Sequence, residues 1–323
     1  MRVLVTGATT PLGIEIVHQL LANPHVDYVL AVGLEPDAVA QSCTHARFTY
    51  LPLDLTRARA VHDLLFGPAR DLRIDTVIHG ALHRSTQATG AKVHALNVET
   101  TRQLVLESLR HPTIRRFVHR SAGEVYAVRA TEPNLIDEDV PMELDPRAPQ
   151  WVRDRVEADL TVCAQLGRSP LSIAVMRCAE VLAGGTGSQL WDYLQSRVCL
   201  RPIGFDPMIN LLSPEDYARA IVLAARSSAT GVFNIAGADT LPLSRVVRHA
   251  GRRDIPIPGP FLSPLYRLRR RTIGLEFRYD LSSHRFHLGG MLDGSRAARE
   301  LGFLPEHSLW PAARTAPAPG FLN

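Results

Sequence analysis

The sequence predicts an α/β fold in which helices cover both faces of a parallel sheet. Short apolar runs rich in β-branched residues alternate with helix-length amphipathic segments through the first half of the chain. A glycine-containing turn, TGATTPLG at residues 6–13, stands between the first such run and the first amphipathic segment. After Arg177 the pattern loosens and becomes richer in glycine and proline. Strands separated by helices imply parallel βαβ units with right-handed crossovers.

The predicted elements follow one another in a regular order. RVLVT is the first strand, and PLGIEIVHQLLAN is the first helix because its apolar residues recur at helical spacing. The second to fifth strands are VDYVLAVG, FTYLPLDL, IDTVIHGA and RRFVHRSA, and a long amphipathic helix, VHALNVETTRQLVLESLR, precedes the fifth. A helix containing Trp151 leads into LSIAVMR, the sixth strand. GVFNIAG is a further short strand, and DGSRAARELGFLP is a late helix that ends at a glycine.

Composition places the chain among ordinary soluble globular proteins. It has 323 residues, of which 46% are hydrophobic and 21% are charged, and no apolar run approaches the length of a membrane span. Because a strand-like run begins at Arg2, we expect no signal peptide and a cytoplasmic protein. The cysteines Cys43, Cys163, Cys178 and Cys199 form no C-x-x-C pair, so we expect core residues and neither a disulfide nor a metal site.

The net charge of +4 comes almost wholly from arginine, since Lys92 is the only lysine. The densest basic run is YRLRRR at residues 266–271, which we interpret as a solvated helix or loop face. We therefore expect a small-molecule ligand, and not nucleic acid or a membrane surface, as the partner of this protein.

The turn TGATTPLG has the position of a dinucleotide fingerprint. Gly7 suits a tight turn and Gly13 suits close packing of helix on sheet, so the helix N-terminus can face a pyrophosphate. Thr10 replaces the middle glycine, and we expect it to crowd the phosphate. Pro11 and Leu12 follow, and proline is well tolerated in a first helical turn. The whole pattern predicts a Rossmann-type doubly wound sheet with a smaller C-terminal substrate lobe over the carboxyl ends of the strands. We expect residues 1–176 to form the dinucleotide-binding domain and 177–323 the lobe, with 206–236 returning to the first domain.

The order of further motifs resembles the extended short-chain dehydrogenase/reductase family, in particular its nucleotide-sugar epimerases and dehydratases. The matching segments are the DL dipeptide after the third strand, HGA after the fourth, LNVETT, SAGEVYA after the fifth, MRCAEVLAGG, LLSPEDYARAIVLA and VFNIAG. The resemblance implies NAD or NADP as cofactor, a nucleotide sugar or another small molecule as ligand, and a homodimer formed through the helices that hold Asn97 and Trp151. The residues that it places at the cofactor are Gly7, Thr10, Pro11, Leu12, Gly13, Gly33, Asp54, Leu55, Gly80, Ala81, Asn97 and Arg155.

Departures from the family pattern cluster at its catalytic centre. Members use a Tyr as acid/base, a Lys four residues later and a Ser or Thr after the fifth strand; here these positions hold Trp151, Arg155 and Ala122. No tyrosine of the chain is followed four residues later by lysine. An indole N–H donates a hydrogen bond but does not shuttle a proton near neutral pH. Gly33 stands where the family has the acid that binds the adenosine ribose, with Glu35 two residues on, so charge favours neither NAD nor NADP.

Glu124 is the argument for retained chemistry. SAGEVY resembles the STDEVYG of sugar-nucleotide dehydratases, in which Asp and Glu perform acid/base elimination, and Glu124 matches that Glu. A single buried carboxylate can still abstract a proton if burial raises its pKa. The residues His83, His119, Ser121 and Glu180 are candidates to line the substrate cleft.

Three functions remain open at this point. The chain is a dinucleotide-binding pseudoenzyme or a member with altered chemistry, or an active epimerase or dehydratase that uses Glu124. The third alternative is a protein that binds RNA or anionic lipid on the same scaffold.

Overall fold

The computed structural model describes residues 1–36, 45–130, 134–274 and 277–310, so Cys43 lies outside the described residues. The strands, β1 to β14 in chain order, are Arg2–Thr6, Tyr28–Gly33, Phe48–Pro52, Thr76–His79, Arg116–Ala122, Leu135–Ile136, Ser172–Cys178, Glu180–Val181, Val198–Pro202, Met208–Leu212, Gly231–Ile235, Asp239–Pro242, Arg253–Ile257 and Met291–Leu292. The helices, α1 to α11, are Pro11–Ala22, Ala60–Leu64, Ala91–His94, Thr100–Arg110, Gln150–Cys163, Gln189–Leu194, Pro214–Arg226, Leu243–His249, Gly259–Ile273, Ser283–Leu288 and Ser295–Leu301. A π-helical turn, Ala95–Glu99, joins α3 to α4.

The main sheet has seven strands in the order β11-β7-β5-β4-β1-β2-β3, and every neighbouring pair is parallel. Successive side chains of a strand point to opposite faces. In β1, Val3 and Val5 therefore pack into the apolar cluster that includes α1 and α7, while Leu4 packs into the cluster that includes α2 and α4. The sheet is thus covered on both faces, and the predicted Rossmann-type doubly wound fold is confirmed.

The carboxyl ends of the parallel strands meet at one edge of this sheet. The register pairs Thr6 of β1 with Val32 of β2 and with His79 of β4, and His79 with His119 of β5. The turns that follow these strands are therefore neighbours in space. Ligands of open α/β sheets bind at this edge, and we call it the carboxyl edge.

Beyond the main sheet, the chain forms small sheets with the orders β12-β10-β8, β13-β9 and β14-β6, the last of which joins the C-terminal part to the segment after β5. The core of the C-terminal part contains an aromatic cluster in which the Tyr193 and Phe286 ring centroids lie 4.8 Å apart, as do those of Tyr266 and Phe277. The Tyr266 hydroxyl also donates to the Leu200 carbonyl at 3.0 Å and accepts from the Leu200 N–H at 2.8 Å. Helix α9 is thereby fixed on β9, and α10 is packed beside it.

The chain passes between the two parts more than once. Strand β7 ends at Cys178, so the expected boundary between residues 176 and 177 falls inside a strand of the main sheet. Within residues 206–236, β10 belongs to a small sheet, whereas α7 packs on α1 and β11 forms the edge of the main sheet.

Two further expectations concern membranes and metals. Among the residues that the structure describes, no helix is long and apolar enough to cross a membrane. Within the same ranges, no group of three His, Cys, Asp or Glu side chains is placed to hold a metal ion. Cys163, Cys178 and Cys199 are free thiols.

Gly13 sets how closely α1 approaches the turn after β1. A Cβ atom at this position would lie 2.2 Å from the Gly7 carbonyl oxygen, a backbone atom that cannot move aside. We therefore expect Gly13→Ala to lower the free energy of unfolding by about 1–3 kcal/mol, as other overpacked positions do. Gly259→Ala is the matched control, because a Cβ there meets no atom within 4 Å. Urea denaturation measures both, and equal stability of the two variants would contradict the close packing.

Candidate dinucleotide and substrate site

The turn after β1 keeps the shape of a phosphate turn but offers few donors. Gly7 has a φ of +71°, and a Cβ on it would lie 2.8 Å from the Ala81 nitrogen. Thr10 is the N-cap of α1: its hydroxyl accepts the Gly13 N–H at 3.0 Å and donates to the Gly7 carbonyl at 2.8 Å. Pro11 has no N–H. The Thr10 side chain is buried, so it competes for the Gly13 donor and does not crowd a phosphate from outside.

A polar bridge spans the carboxyl edge above the end of β1. Glu35, which follows β2, accepts hydrogen bonds from the Thr9 hydroxyl and pairs with Arg84, which follows β4. Because β2 and β4 flank β1, the Glu35–Arg84 pair crosses the path between them. The Tyr50 hydroxyl donates to the Glu35 carbonyl at 2.5 Å. A Cβ at Gly33 would lie 2.7 Å from the Thr9 side chain, so a larger residue at this position would require Thr9 to shift.

The other residues predicted at the cofactor hold the loops around it. Asp54 follows β3 at the carboxyl edge, where its Oδ1 accepts from the Thr56 N–H and hydroxyl at 3.0 and 2.6 Å. The neighbouring Leu55 is buried. Asn97 accepts the His83 N–H at 2.9 Å and donates to Asp154 at 3.3 Å. Gly80 and Ala81 donate their N–H groups to the Thr6 carbonyl and hydroxyl at 3.2 and 3.4 Å. Asp54 and Gly7 lie on the same edge of the sheet, as the predicted fold requires.

Two carboxylates and two guanidiniums form a chain of ion pairs at this edge. Glu124, in the turn after β5, pairs with Arg155 of α5 (Oε2 to Nη1, 3.1 Å) and with Arg285 of α10 (Oε1 to Nη1, 3.0 Å). Arg285 Nη1 also donates to Glu180 Oε2 at 3.1 Å, and Glu180 accepts the Ser188 hydroxyl. The Glu124 and Arg155 side chains are each 8% exposed. The carboxylate expected to act as a base is therefore held between two arginines.

The two carboxylates have pKa values that move in opposite directions. Burial acts to raise the pKa of Glu124, but Arg285 and Arg155 outweigh burial and lower that pKa to about 2. Burial raises the pKa of Glu180, and the Glu124 charge adds to the effect. A general base works best with a pKa near the operating pH. The condition under which Glu124 could act as a base, a pKa raised by burial, is therefore not met, and Glu180 is the carboxylate that moves towards neutrality.

Trp151 and Arg155 lie one turn apart on α5, but of the two only Arg155 lines the cleft. Trp151 is 5% exposed within the apolar cluster that contains Tyr126 and Val152. The Arg155 guanidinium lies 4.9 Å from the centroid of its ring. The indole thus packs behind Arg155 and does not fill the cleft, because burial in this cluster stabilises its apolar ring. Arg155, expected at a ribose, donates to Glu124 and to the Gly187 carbonyl at 3.4 Å.

Other predicted site residues have structural partners. The Ser121 hydroxyl donates to Asp159 at 2.5 Å, and the same carboxylate accepts Arg177 Nε and Nη2 at 3.0 and 2.8 Å. Ser121 lines the cleft that holds Glu124, but its hydroxyl is committed to a buried ion pair that ties α5 to the sheet. His119 is buried inside the sheet, stacked on His79 with ring centroids 5.6 Å apart, and burial lowers its pKa to about 4. It does not line the cleft.

Ala122 and His83 do lie at the carboxyl edge. Ala122 is in register with Cys178, has no polar side-chain atom and lines the cleft beside Glu124. His83 is in the loop after β4, where its Nδ1 contacts the Ser85 backbone at 3.1 and 3.2 Å.

Sequence reasoning missed Arg285. It comes from α10, 161 residues after Glu124 and 105 after Glu180. The motif match used above ends near residue 236, and HRFHL carries no pattern that indicates a site. The basic run at residues 266–271, the densest in the sequence, lies on α9, which does not line this cleft.

Comparison with known proteins gives the family. The model of the NAD dependent epimerase/dehydratase family matches residues 3–236. The chain belongs to this family. An uncharacterized protein of Mycobacterium tuberculosis is 29% identical over 307 residues, which are 94% of this chain and 80% of that protein. A 3-diazoavenalumate denitrifying reductase of a Streptomyces species is 27% identical over 333 residues, which cover 96% of this chain and 98% of the reductase.

Solved structures of family members share the fold. The dTDP-glucose 4,6-dehydratase of Streptomyces venezuelae, with NAD bound, superposes with a TM-score of 0.71 at 20% identity, covering 96% of this chain and 93% of that one. The UDP-glucose 4-epimerase of Thermotoga maritima, with UDP-glucose, gives a TM-score of 0.70 at 16% identity, covering 96% and 95%.

The residues at the carboxyl edge fit a dinucleotide in shape. The left-handed Gly7 and the close approach of Gly13 reproduce the turn that such a ligand needs. The chemistry is changed, since the Gly13 N–H is given to Thr10 and the Glu35–Arg84 pair bridges the groove. Binding would require Arg84 to leave Glu35 or to bridge above the ligand.

Thr10 decides how many donors the phosphate turn presents. We expect Thr10→Gly to free the Gly13 N–H and to tighten NAD(H) binding several-fold, because one more backbone donor then faces the pyrophosphate. Glycine is a tolerable N-cap, so the loss of stability is a few tenths of a kcal/mol. Calorimetric titration measures the affinity. Thr10→Ser keeps the hydroxyl and is the control, and a gain of affinity in both variants would contradict the competition for Gly13.

Glu124 should stabilise the fold in a pH-dependent way. Its folded pKa of about 2 lies below the value of ~4.3 for an unfolded glutamate, so its contribution is fully present above about pH 4.5 and is lost as the pH falls towards 2. We expect Glu124→Gln to lower the free energy of unfolding by about 3 kcal/mol at pH 7, because Arg155 loses its buried carboxylate. The difference from the unmodified protein should shrink below pH 4.5.

Urea unfolding at pH 7, 5 and 3.5 tests this dependence. Glu99→Gln is the control, since the Glu99 side chain is 41% exposed beside Arg102 and its removal should cost less than about 0.5 kcal/mol. A loss that is the same at pH 7 and pH 3.5 would show that Glu124 is not held ionised.

Proposed function

We propose that this protein binds a nicotinamide dinucleotide and does not interconvert the alcohols and ketones of nucleotide sugars. The observation that most supports this proposal is the ion pair between Arg155 and Glu124. This ion pair occupies both the cation at the family's lysine position and the carboxylate at its dehydratase position, so neither is free to take part in catalysis. Trp151 and Ala122 offer no group that takes up a proton near neutral pH. The NAD in structures of the same fold supports the cofactor assignment.

Turnover of sugar substrates tests this proposal. General acid–base catalysis contributes roughly a hundred- to ten-thousand-fold to rate, so NAD(P)H formation from UDP-glucose or dTDP-glucose should stay at background. The triple variant Ala122→Ser, Trp151→Tyr, Arg155→Lys should recover traces at most, because the Glu124 and Arg285 pair persists. Calorimetric binding of NAD(H) or NADP(H) without turnover is the expected result. Clear turnover by the unmodified protein would overturn the proposal.

A second candidate is a reductase of an electron-poor acceptor. The Streptomyces relative, similar along nearly its whole length, is a denitrifying reductase that acts on a diazo compound. A bound reduced dinucleotide would supply hydride. An acceptor that is already strongly electrophilic takes hydride without a proton from a tyrosine, so the loss of Tyr and Lys does not forbid such a reaction. Protein-dependent NAD(P)H oxidation with an aryldiazonium salt, above the blank without protein, separates this candidate from a pseudoenzyme.

A further inference from the structure

A cavity beside the ion-pair chain has walls that are mostly apolar. It lies between the turn after β5, strands β8 and β10 and helix α10, and it adjoins the cleft that holds Glu124 and Arg155. Its apolar lining consists of Val128, Ile136, Leu190, Ile209, Leu243, Phe286 and Leu292. The polar side chains in the same wall are Glu180, Gln189, Asn210, Ser282 and Arg285.

Three of those polar side chains are already committed to the protein. Asn210 Nδ2 donates to the Thr240 hydroxyl at 2.8 Å and its Oδ1 accepts the Gly237 N–H at 2.8 Å. The Ser282 hydroxyl donates to Gln189 Oε1 at 3.1 Å, and Gln189 Nε2 donates to Thr86. A ligand in the cavity therefore meets hydrocarbon on most sides and charge at one end.

The cavity and the adjoining cleft together carry more positive than negative charge. The charged side chains that line the cavity and the adjoining cleft are Arg120, Arg155, Arg285, Glu124 and Glu180, three cations against two anions. The balance is +1 with both carboxylates ionised, and burial raises the pKa of Glu180, which moves the balance further towards positive. A buried excess charge is costly unless it is paired. A ligand with one negative charge would pair it.

Arg285 is placed to meet such a ligand. Its bonds to Glu124 and Glu180 both leave from Nη1. Among the described residues, Nε and Nη2 of this side chain have no hydrogen-bond partner, and the side chain is 37% exposed at the edge of the cavity. A guanidinium presents donors in a planar fork that matches a carboxylate. One edge of the fork is thus used by the protein and the other is available.

We propose that this cavity binds a small, largely apolar carboxylic acid, with its carboxylate on the free edge of Arg285 and its hydrocarbon part against Ile209, Phe286 and Leu292. The inference rests on the proposed function in taking the cavity as the substrate site. A sugar would leave several hydroxyl groups unpaired against the apolar walls, at a cost that the free edge of Arg285 alone cannot recover. An aryl or alkenyl acid leaves none unpaired.

Calorimetry with three probes tests the ligand class. In the presence of saturating NAD(H) we expect trans-cinnamate to bind, and cinnamyl alcohol, of nearly the same shape but neutral, to bind at least ~10-fold more weakly, since a charge-assisted pair is lost. UDP-glucose should not bind detectably. Arg285→Gln should weaken cinnamate at least ~10-fold. The control is Arg278→Gln, because Arg278 pairs with Asp280 outside the cavity.

A second variant tests the proposed ligand site independently, in case the Arg285→Gln protein does not fold. Val128 lines the cavity from an irregular segment, so Val128→Asn should place a polar group in the wall and weaken cinnamate several-fold with the fold retained. Equal binding of cinnamate and cinnamyl alcohol, or Arg285-dependent binding of UDP-glucose, would overturn the inference. NAD(H) is titrated separately. Loss of NAD(H) binding with cinnamate binding intact would defeat the proposed function and leave the ligand class standing.

Discussion

The site depends on one carboxylate placed between two guanidiniums. Glu124 is buried, and its charge is tolerated because Arg155 and Arg285 approach it from two elements that are far apart in the chain. The pairing holds α5 and α10 to the turn after β5. It also explains why Trp151 is accommodated, since the indole face packs on the same Arg155 that Glu124 fixes. Removing Glu124 leaves Arg155 without its carboxylate partner, whereas removing either arginine leaves Glu124 paired with the other.

The main sheet could be predicted from the sequence, because its strands and helices show local periodicity. The small sheets and helices α8 to α10 of the C-terminal part could not. The turn at Gly7 and the cluster of family positions at Glu124, Arg155 and Glu180 could be predicted as well. The contacts that each of these side chains makes could not be predicted. Arg285 sits more than a hundred residues from its partners, on a six-residue helix without a motif. No local pattern predicts a pair that only the tertiary structure brings together.

The same physical limit explains why the hydrogen-bond partners of two further residues could not be predicted. Ser121 has the position of a cleft residue, yet the buried Asp159–Arg177 pair captures its hydroxyl. Thr10 has the position of an obstruction, yet it turns inward and caps α1. In both cases the polar side chain forms its hydrogen bond inside the protein and does not offer it to a ligand, because a buried donor or acceptor without a partner is costly. The position of a residue in a motif predicts where its side chain lies in the fold but not which groups it hydrogen-bonds.

These internal partners share a consequence for function. The Gly13 N–H bonds to Thr10, Glu35 bonds to Arg84, and Glu124 bonds to two arginines. Groups at the carboxyl edge that could bind a ligand are satisfied by the chain itself, so the ligand-free site is stable. A ligand must therefore exchange partners with the protein or use what remains. What remains at the substrate end is an apolar cavity and the open edge of Arg285, beside a charge balance of +1. On the proposals above, such a site selects its ligand by one negative charge and by hydrocarbon contact, and any reactivity comes from a bound dinucleotide and from the ligand's own electrophilic character.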